Sequence, residues 1–292
     1  IRAGEWGAAV AGGMESMSNA PHLLERSRLG FRMGEMRLSD SMIKDGLWDP
    51  YGDKHMGQCA ELAAQRYALT REAQDAYALE SYRRAQRAWE KNWFQKEVLA
   101  VAVPRGTPEA VTVERDEEPY AAPLEKMPKL KPAFETHGTI TAANASKLSD
   151  GAAALVLVGS QQLHDLGLKP LARIVAWASV AQDPEWFTTA PALAIQKVTK
   201  LAALSMGQIE RFEINEAFAV VAMAAIKELN LDPNAVNSQG GAIALGHPIG
   251  CSGARIVVTL LHTLMREQRR YGCAAICIGG GEATALILEN LT

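Results

Sequence analysis

Cysteine is scarce in this chain: 292 residues hold four, at 59, 251, 273 and 277. So few and so scattered, they exclude a disulfide-stapled scaffold and leave a reducing compartment as the default. Cys273 and Cys277 are separated by Ala-Ala-Ile, so they form no Cys-x-x-Cys metal or redox pair. No uninterrupted apolar run approaches the ~18 residues of a membrane-spanning helix. Neither sign of charge prevails. Thirty Lys and Arg face 33 Asp and Glu, a net charge of −3, which leaves no bulk basic character to hold nucleic acid. With 48% hydrophobic and 22% charged residues, the chain is not a disordered one. No signal-peptide pattern is present. At ~150 residues per domain, the length predicts two units.

What is present reads as alternating strands and helices, hence an α/β protein. Ile1 to Glu5 resembles a helix end with a Gly stop, and Trp6 to Ala11 a short buried strand closed by Gly12-Gly13. A chain rarely starts on the last turn of a helix, so upstream material is expected to be missing. Residues 14–53 read as long ordered loops. Helices are predicted over 58–67 and 70–93, the second opened by Thr70 as N-cap. Residues 97–103 alternate as a strand, and the prolines from Pro104 to Pro132 predict irregular surface. Residues 139–149 are small and polar. Strand 152–158, helix 161–166, strand 171–176, helix 190–204 and strand 209–214 follow. Asn215 is placed to cap a helix through Lys227. Ser252 starts another, with Ile256, Val257, Leu260, Leu261 and Leu264 at the spacing of a buried face. Strands 273–278 and 284–289 flank Gly279-Gly280-Gly281. The run from Arg2 to Glu15 echoes that from Arg270 to Glu282: helix end, small-residue strand, Gly turn, Glu. The echo points to a duplicated fold.

Chemistry concentrates in a few places. Five glycines surround His247 between Gly240 and Arg255, just before a helix. Glycine there permits unusual dihedrals and close approach of a ligand or another backbone. His247 is either structural or a proton-transfer group. Cys277 ends a strand before three glycines. It reads as a small buried hydrophobe or as a functional thiol beside amides able to stabilise an oxyanion. Cys59, Cys251 and Cys273 lack such a setting and read as structural. Asn215, in Asn215-Glu216-Ala217-Phe218, either caps a helix or turns its amide into a site. His55 reads as packing more than chemistry. Arg26, Arg28, Arg32, Arg37 and Lys44 are either a solvated face or an attraction for an anionic ligand.

Taken in order, Asn215-Glu-Ala-Phe218, Gly246-His-Pro-Ile-Gly250 and Cys277-Ile-Gly-Gly-Gly281 resemble the thiolases. So do the segments 12–21, 40–47 and 139–146. The nearest subgroup by motif is the acetyl-CoA acetyltransferases, in His55-Met-Gly-Gln-Cys-Ala-Glu61 and Pro128-Lys-Leu-Lys-Pro132. The resemblance implies a layered αβαβα fold of two similar halves with an inserted loop domain. On that plan residues 1–17 are the tail of an N-terminal half that is otherwise missing. Residues 18–148 are the loop domain and 149–292 the C-terminal half. It implies acyl transfer between CoA thioesters: Claisen condensation of two acetyl-CoA to acetoacetyl-CoA, or the reverse thiolysis, through an acyl-cysteine.

By the same resemblance His247 activates the nucleophile, Asn215 positions a water of an oxyanion hole, and Cys277 is the acid/base. The Gly279 amide belongs to a second oxyanion hole. Leu47, His55, Met56, Ala133, Phe134, Ala142, Ser146 and Leu148 match CoA-contact positions. Phe187, Ala217 and Phe218 border the acyl pocket. Coenzyme A is then substrate and product. No permanently bound cofactor, metal, nucleic acid or membrane is implied. A homotetramer or homodimer is expected, with residues 20–43 as a tetramer loop, in the cytoplasm or in the mitochondrial matrix of a eukaryote, in fatty acid and ketone body metabolism. The acyl-accepting cysteine of a Cys-Gly-Ser-Gly-like segment is not in this sequence. Two other readings stand beside this one: a longer-chain 3-ketoacyl-CoA thiolase, and a non-catalytic CoA-binding subunit.

Overall fold

The computed structural model describes residues 1–104 and 111–292. Of the irregular stretch expected at 104–132, residues 105–110 lie outside the described residues. The elements run β1 (Ala8–Ser16), β2 (His22–Leu24), β3 (Leu38–Asp40), β4 (Trp48–Asp49), β5 (Lys54–His55), α1 (Met56–Arg66), α2 (Arg71–Glu90), β6 (Val101–Val103), β7 (Val111–Val113) and α3 (Glu118–Ala121). Then come β8 (Asp150–Val158), α4 (Ser160–Asp165), β9 (Ala172–Ala181), α5 (Ala190–Leu201), β10 (Arg211–Ile214), α6 (Ala219–Leu229), α7 (Ala242–Leu245), α8 (Ile249–Glu267), β11 (Tyr271–Ile278) and β12 (Glu282–Asn290). Thr70 caps α2 as expected, its hydroxyl accepting from the Ala73 amide at 3.2 Å.

The main sheet has the order β10-β11-β12-β9, with β10 and β11 parallel and the other neighbours antiparallel. Side chains alternate across it. Ala274, Leu286 and Leu288 pack with Ile256, Val257, Leu260 and Leu264 of α8. Cys273, Ala275, Cys277, Ala283, Ala285 and Ile287 face the other way, into a core shared with α5, α6 and α1. On its far side α8 meets β1 and β8, an antiparallel pair. The chain thus shows four successive layers: β1–β8, α8, the main sheet, and α5 with its neighbouring helices. Val10, Met14 and Val156 stand exposed on the outer face of the β1–β8 pair. The sequence echo has a structural meaning, because β1 with β8 and β11 with β12 are two antiparallel pairs flanking one helix.

Three local expectations are corrected. Residues 1–7 form turns, with Gly4 at φ +81°, and not the end of a helix. The first strand does not stop at Gly12-Gly13 but runs through them to Ser16. A Cβ on Gly12 would strike the Ala153 carbonyl of β8, and one on Gly13 the Gly250 carbonyl of α8. These glycines serve close backbone approach, not chain reversal. The helix expected from Asn215 begins at Ala219, and the one expected from Ser252 begins at Ile249.

Candidate active site

Asn215 follows the last residue of β10. Its amide N–H donates to the Ala275 carbonyl of β11 at 3.0 Å, which extends the parallel pairing by one step. Asn237 holds the preceding residue at both ends: the Ile214 amide donates to its Oδ1 and its Nδ2 donates to the Ile214 carbonyl, each at 2.8 Å. Four donors fix Glu216 next door: Tyr77 Oη at 2.9 Å, Ser81 Oγ at 2.7 Å, Asn237 Nδ2 at 3.0 Å and the Ile243 amide at 3.2 Å. The helix after this segment has Phe218 at its cap position with no side-chain hydrogen bond. Asn215 is therefore no helix cap, and its Nδ2 lies 3.1 Å from His247 Nε2.

His247 is seated from three sides. Its amide donates to the Lys147 carbonyl at 3.0 Å, Gly246 precedes it at φ +95°, and Pro248 follows. Nδ1 lies 2.7 Å from Ser252 Oγ, whose own proton goes to the Pro248 carbonyl at 2.9 Å. A hydroxyl has one proton to give. With it committed to Pro248, His247 Nδ1 carries the hydrogen and donates to Ser252. Nε2 is then the lone-pair nitrogen, and Asn215 donates to it. Burial, and after it the Arg255 guanidinium, lower the His247 pKa to about 4, so the ring is neutral. A neutral imidazole presenting Nε2 is a base in its working form. Asn215 Oδ1 is buried and has no partner among the described residues.

The glycines around His247 serve packing more than ligand approach. A Cβ on Gly240 would strike the Ser81 carbonyl of α2. On Gly241 it would meet the Glu216 carboxylate, on Gly246 the Ser149 hydroxyl, and on Gly250 the Met14 carbonyl of β1. The run is a strip where α2, the 149 segment and β1 all close on the His247 turn.

Cys277 lies near the end of β11, on the face turned to α5, α6 and α1. Asn215 and Cys277 thus lie at the C-terminal ends of two parallel neighbours, where open α/β sheets bind ligands. Burial pushes the Cys277 thiol up to about 12 and Cys59 up to about 11, and raises Cys251 and Cys273 also. None of the four is a ready thiolate. Gly279 opens the turn to β12, with Met56 against it: a Cβ there would lie 3.0 Å from the Met56 methyl.

Several other sequence-predicted positions converge. His55 stacks on Phe134 at 4.7 Å, and Phe134 meets Phe218 edge-on at 6.1 Å. His55 Nδ1 also accepts from the Gly57 amide, so this ring caps α1 as well as packing. The Met56 amide donates to the Leu47 carbonyl, the Ala133 amide to Ile140, and the Ser146 amide to Ala217. Phe187, Met56, Phe218 and Cys277 share one core cluster. Ala142 and Leu148 are exposed. Two surface clefts of about 250 Å³ each lie elsewhere and share no residue with this set. Among the described residues, no group of three or more His, Cys, Asp or Glu is placed to hold a metal ion. No helix among them is long and apolar enough to cross a membrane. Sequence reasoning missed Ser252, Glu216 and Lys147. Only Glu216 had a legible signal, since its partners Tyr77 and Ser81 sit four apart on one face of α2.

The family description "Thiolase, N-terminal domain" matches residues 1–161, and "Thiolase, C-terminal domain" matches 168–290. A probable acetyl-CoA acetyltransferase of Dictyostelium discoideum is 49% identical over 97% of this chain and 68% of its own length. The Acat5 thiolase from Ascaris suum, solved in complex with coenzyme A, superposes with a TM-score of 0.93 at 47% identity, over 100% of this chain and 74% of that one. The Bacillus anthracis acetyl-CoA acetyltransferase superposes at 0.96 and 40% identity, over 100% and 74%. The two descriptions together span the chain from residue 1 to 290, and the expectation of a missing N-terminal segment is not borne out by them. The fold, the ordered motifs and these likenesses agree, and the chain belongs to the thiolase family.

Proposed function

We propose that the chain serves acetyl-CoA acetyltransferase chemistry: acyl transfer between CoA thioesters, with acetyl-CoA, acetoacetyl-CoA and CoA as ligands. Relatives carrying that name support it. They favour neither the longer-chain thiolase nor the non-catalytic subunit. The observation that carries the site assignment is the chain Asn215–His247–Ser252–Pro248, which leaves a neutral ring with its lone pair at Nε2. His247 takes the proton of the acyl-accepting thiol at Nε2, and the thiolate attacks the thioester or ketone carbonyl. Asn215 then turns Oδ1 toward the new N–H, which gives that buried oxygen a partner. In thiolysis the bond between the α and β carbons breaks and the acetyl-CoA enolate takes the proton of Cys277; an incoming CoA thiol then returns a proton to Cys277 while its sulfur takes the acyl group, and the freed cysteine sulfur recovers its proton from His247. A thiol held near 12 is protonated at neutral pH and suits that donation. Condensation runs the same steps backwards. The Gly279 amide stabilises the enolate oxygen.

A Cys-Gly-Ser-Gly-like segment presents the acyl-accepting thiol to His247 in this reading, and none of the four cysteines stands in one. Residues 18–148 are assigned to CoA binding and 149–292 to proton transfer. The stack of His55, Phe134 and Phe218 and the Ser146–Ala217 bond support joining the two. Residues 20–43 are assigned to contact between copies in a homodimer or homotetramer, in the cytoplasm or the mitochondrial matrix, on the exposed Leu29, Phe31, Met33 and Met36. The test is acetoacetyl-CoA formation from acetyl-CoA, with and without a Cys-Gly-Ser-Gly-bearing segment supplied to the chain, followed by peptide mapping of the acylated thiol. Turnover dependent on that segment, with label on its cysteine, is expected. Label confined to Cys277 or Cys59 overturns the roles of both groups, and a strong preference for long acyl chains overturns the substrate.

A further inference from the structure

Lys147 is a partly buried ammonium that the reaction does not use. Its Nζ donates to the carbonyls of Ala142 and Ala145, the latter at 3.2 Å, and lies 5.7 Å from the centroid of the Tyr82 ring. Tyr82 in turn donates to Glu118 at 2.9 Å. The backbone carbonyl of the same residue accepts the His247 amide at 3.0 Å and the Ser149 hydroxyl at 3.3 Å. One residue therefore grips the 142–145 turn with its side chain and the catalytic turn with its main chain.

The two ends of the segment are held differently. Its start is fixed by Glu61, whose carboxylate accepts from the Thr139 amide at 2.8 Å, the Thr139 hydroxyl at 2.9 Å and the Ile140 amide at 2.7 Å. Asn144 Nδ2 adds a bond to Asp75 at 2.9 Å. Farther on, two carbonyls converge on one point. A single N–H cannot serve both, whereas an ammonium has three donors and a charge that meets carbonyl dipoles and an aromatic face. Burial lowers the Lys147 pKa, and the Glu118 carboxylate opposes that shift. The site is built for a cation, but without excess negative charge.

We propose that Lys147 is a positioning residue whose ammonium latches the turn carrying Ala142 and Ser146 to the backbone that seats His247. The proposal rests on the reading of Ala142 and Ser146 as CoA contacts, and loop order and CoA affinity are therefore read separately. Lys147→Met keeps the stem and the backbone carbonyl but removes the charge. Hydrogen exchange of amides 143–146 should accelerate at least about tenfold while exchange in α8 and the main sheet stays put. The CoA dissociation constant, by calorimetry on the full chain, should rise about tenfold. In Lys147→Ala, propylammonium should restore both and 1-propanol, of similar size without charge, neither. Lys147→Arg supplies a folded control that retains the charge. Unchanged exchange in Lys147→Met, global loss of protection in it, or equal rescue by the alcohol overturns the latch. If the native chain does not bind CoA while exchange responds as described, the contact reading fails and the latch stands.

Discussion

Protonation of His247 tests the site most directly. Its pKa is lowered to about 4, by burial first and then by Arg255, against about 6.5 in an unfolded chain. That gap disfavours the imidazolium by about 3 kcal/mol, at about 1.4 kcal/mol per pH unit. Above pH 6.5 the ring is neutral in both states and adds no slope. As pH falls from 6.5 toward 4, the unfolded chain takes a proton that the folded chain refuses. Its share of the unfolding free energy therefore drops by up to about 3 kcal/mol across that window. His247→Gln should remove this part of the acid sensitivity, read as the difference between the two proteins in urea unfolding at a series of pH values. Nitrogen-15 resonances of labelled histidine should show Nδ1 protonated and Nε2 bare at neutral pH. Asn215→Leu keeps the volume and removes the donor to Nε2. The neutral ring loses about 1 kcal/mol of hydrogen bonding, and the His247 pKa should climb by roughly 0.7 units. A His247 that titrates near 6.5 in the native protein, or carries its proton on Nε2, refutes the reasoning.

Other perturbations have equally definite outcomes. Glu216→Gln turns an N–H toward donors now accepted by a carboxylate oxygen and should cost about 3 kcal/mol in chemical denaturation, with broadening of the His247 resonances; a loss below about 1 kcal/mol would contradict the four-donor arrangement. Gly13→Ala drives a Cβ into the Gly250 carbonyl, and since backbone stands on both sides it should cost at least about 2 kcal/mol of stability by the same assay. Burial pushes the Glu213 carboxyl up to about 8 against the Arg255 charge. A raised carboxyl contributes stability that is full below the unfolded value and is lost as pH rises through 8. Glu213→Gln should therefore be stabilising by a few kcal/mol relative to the native chain at pH 9 and near neutral at pH 5, where a denaturant series showing no pH-dependent difference would exclude a buried proton on Glu213.

What is local was legible in the sequence. The Thr70 cap, the apolar spacing along α8 and the alternation of strands with helices follow from periodicity and turn chemistry within a few residues. The three motifs in order pointed to the family before any contact was known. Glycine proved the least legible residue. A Gly pair reads as a stop, and only packing shows that Gly12 and Gly13 let β1 lie against β8 and α8. Asn215 is the clearest instance at the site. By sequence it stood one step before a helix, but its partner is His247, 32 positions away, brought within 3.1 Å by the parallel β10–β11 pair and the α8 turn. The tautomer of His247, the face on which Cys277 lies and the high pKa of that thiol likewise depend on which segments close around them. Burial and long-range hydrogen bonding are properties of the assembled layers. The sequence alone determined the kinds of element and the residue types able to do acyl-transfer chemistry, and the tertiary structure alone decided which of them meet and in what protonation state, because desolvation and donor geometry exist only after the layers pack.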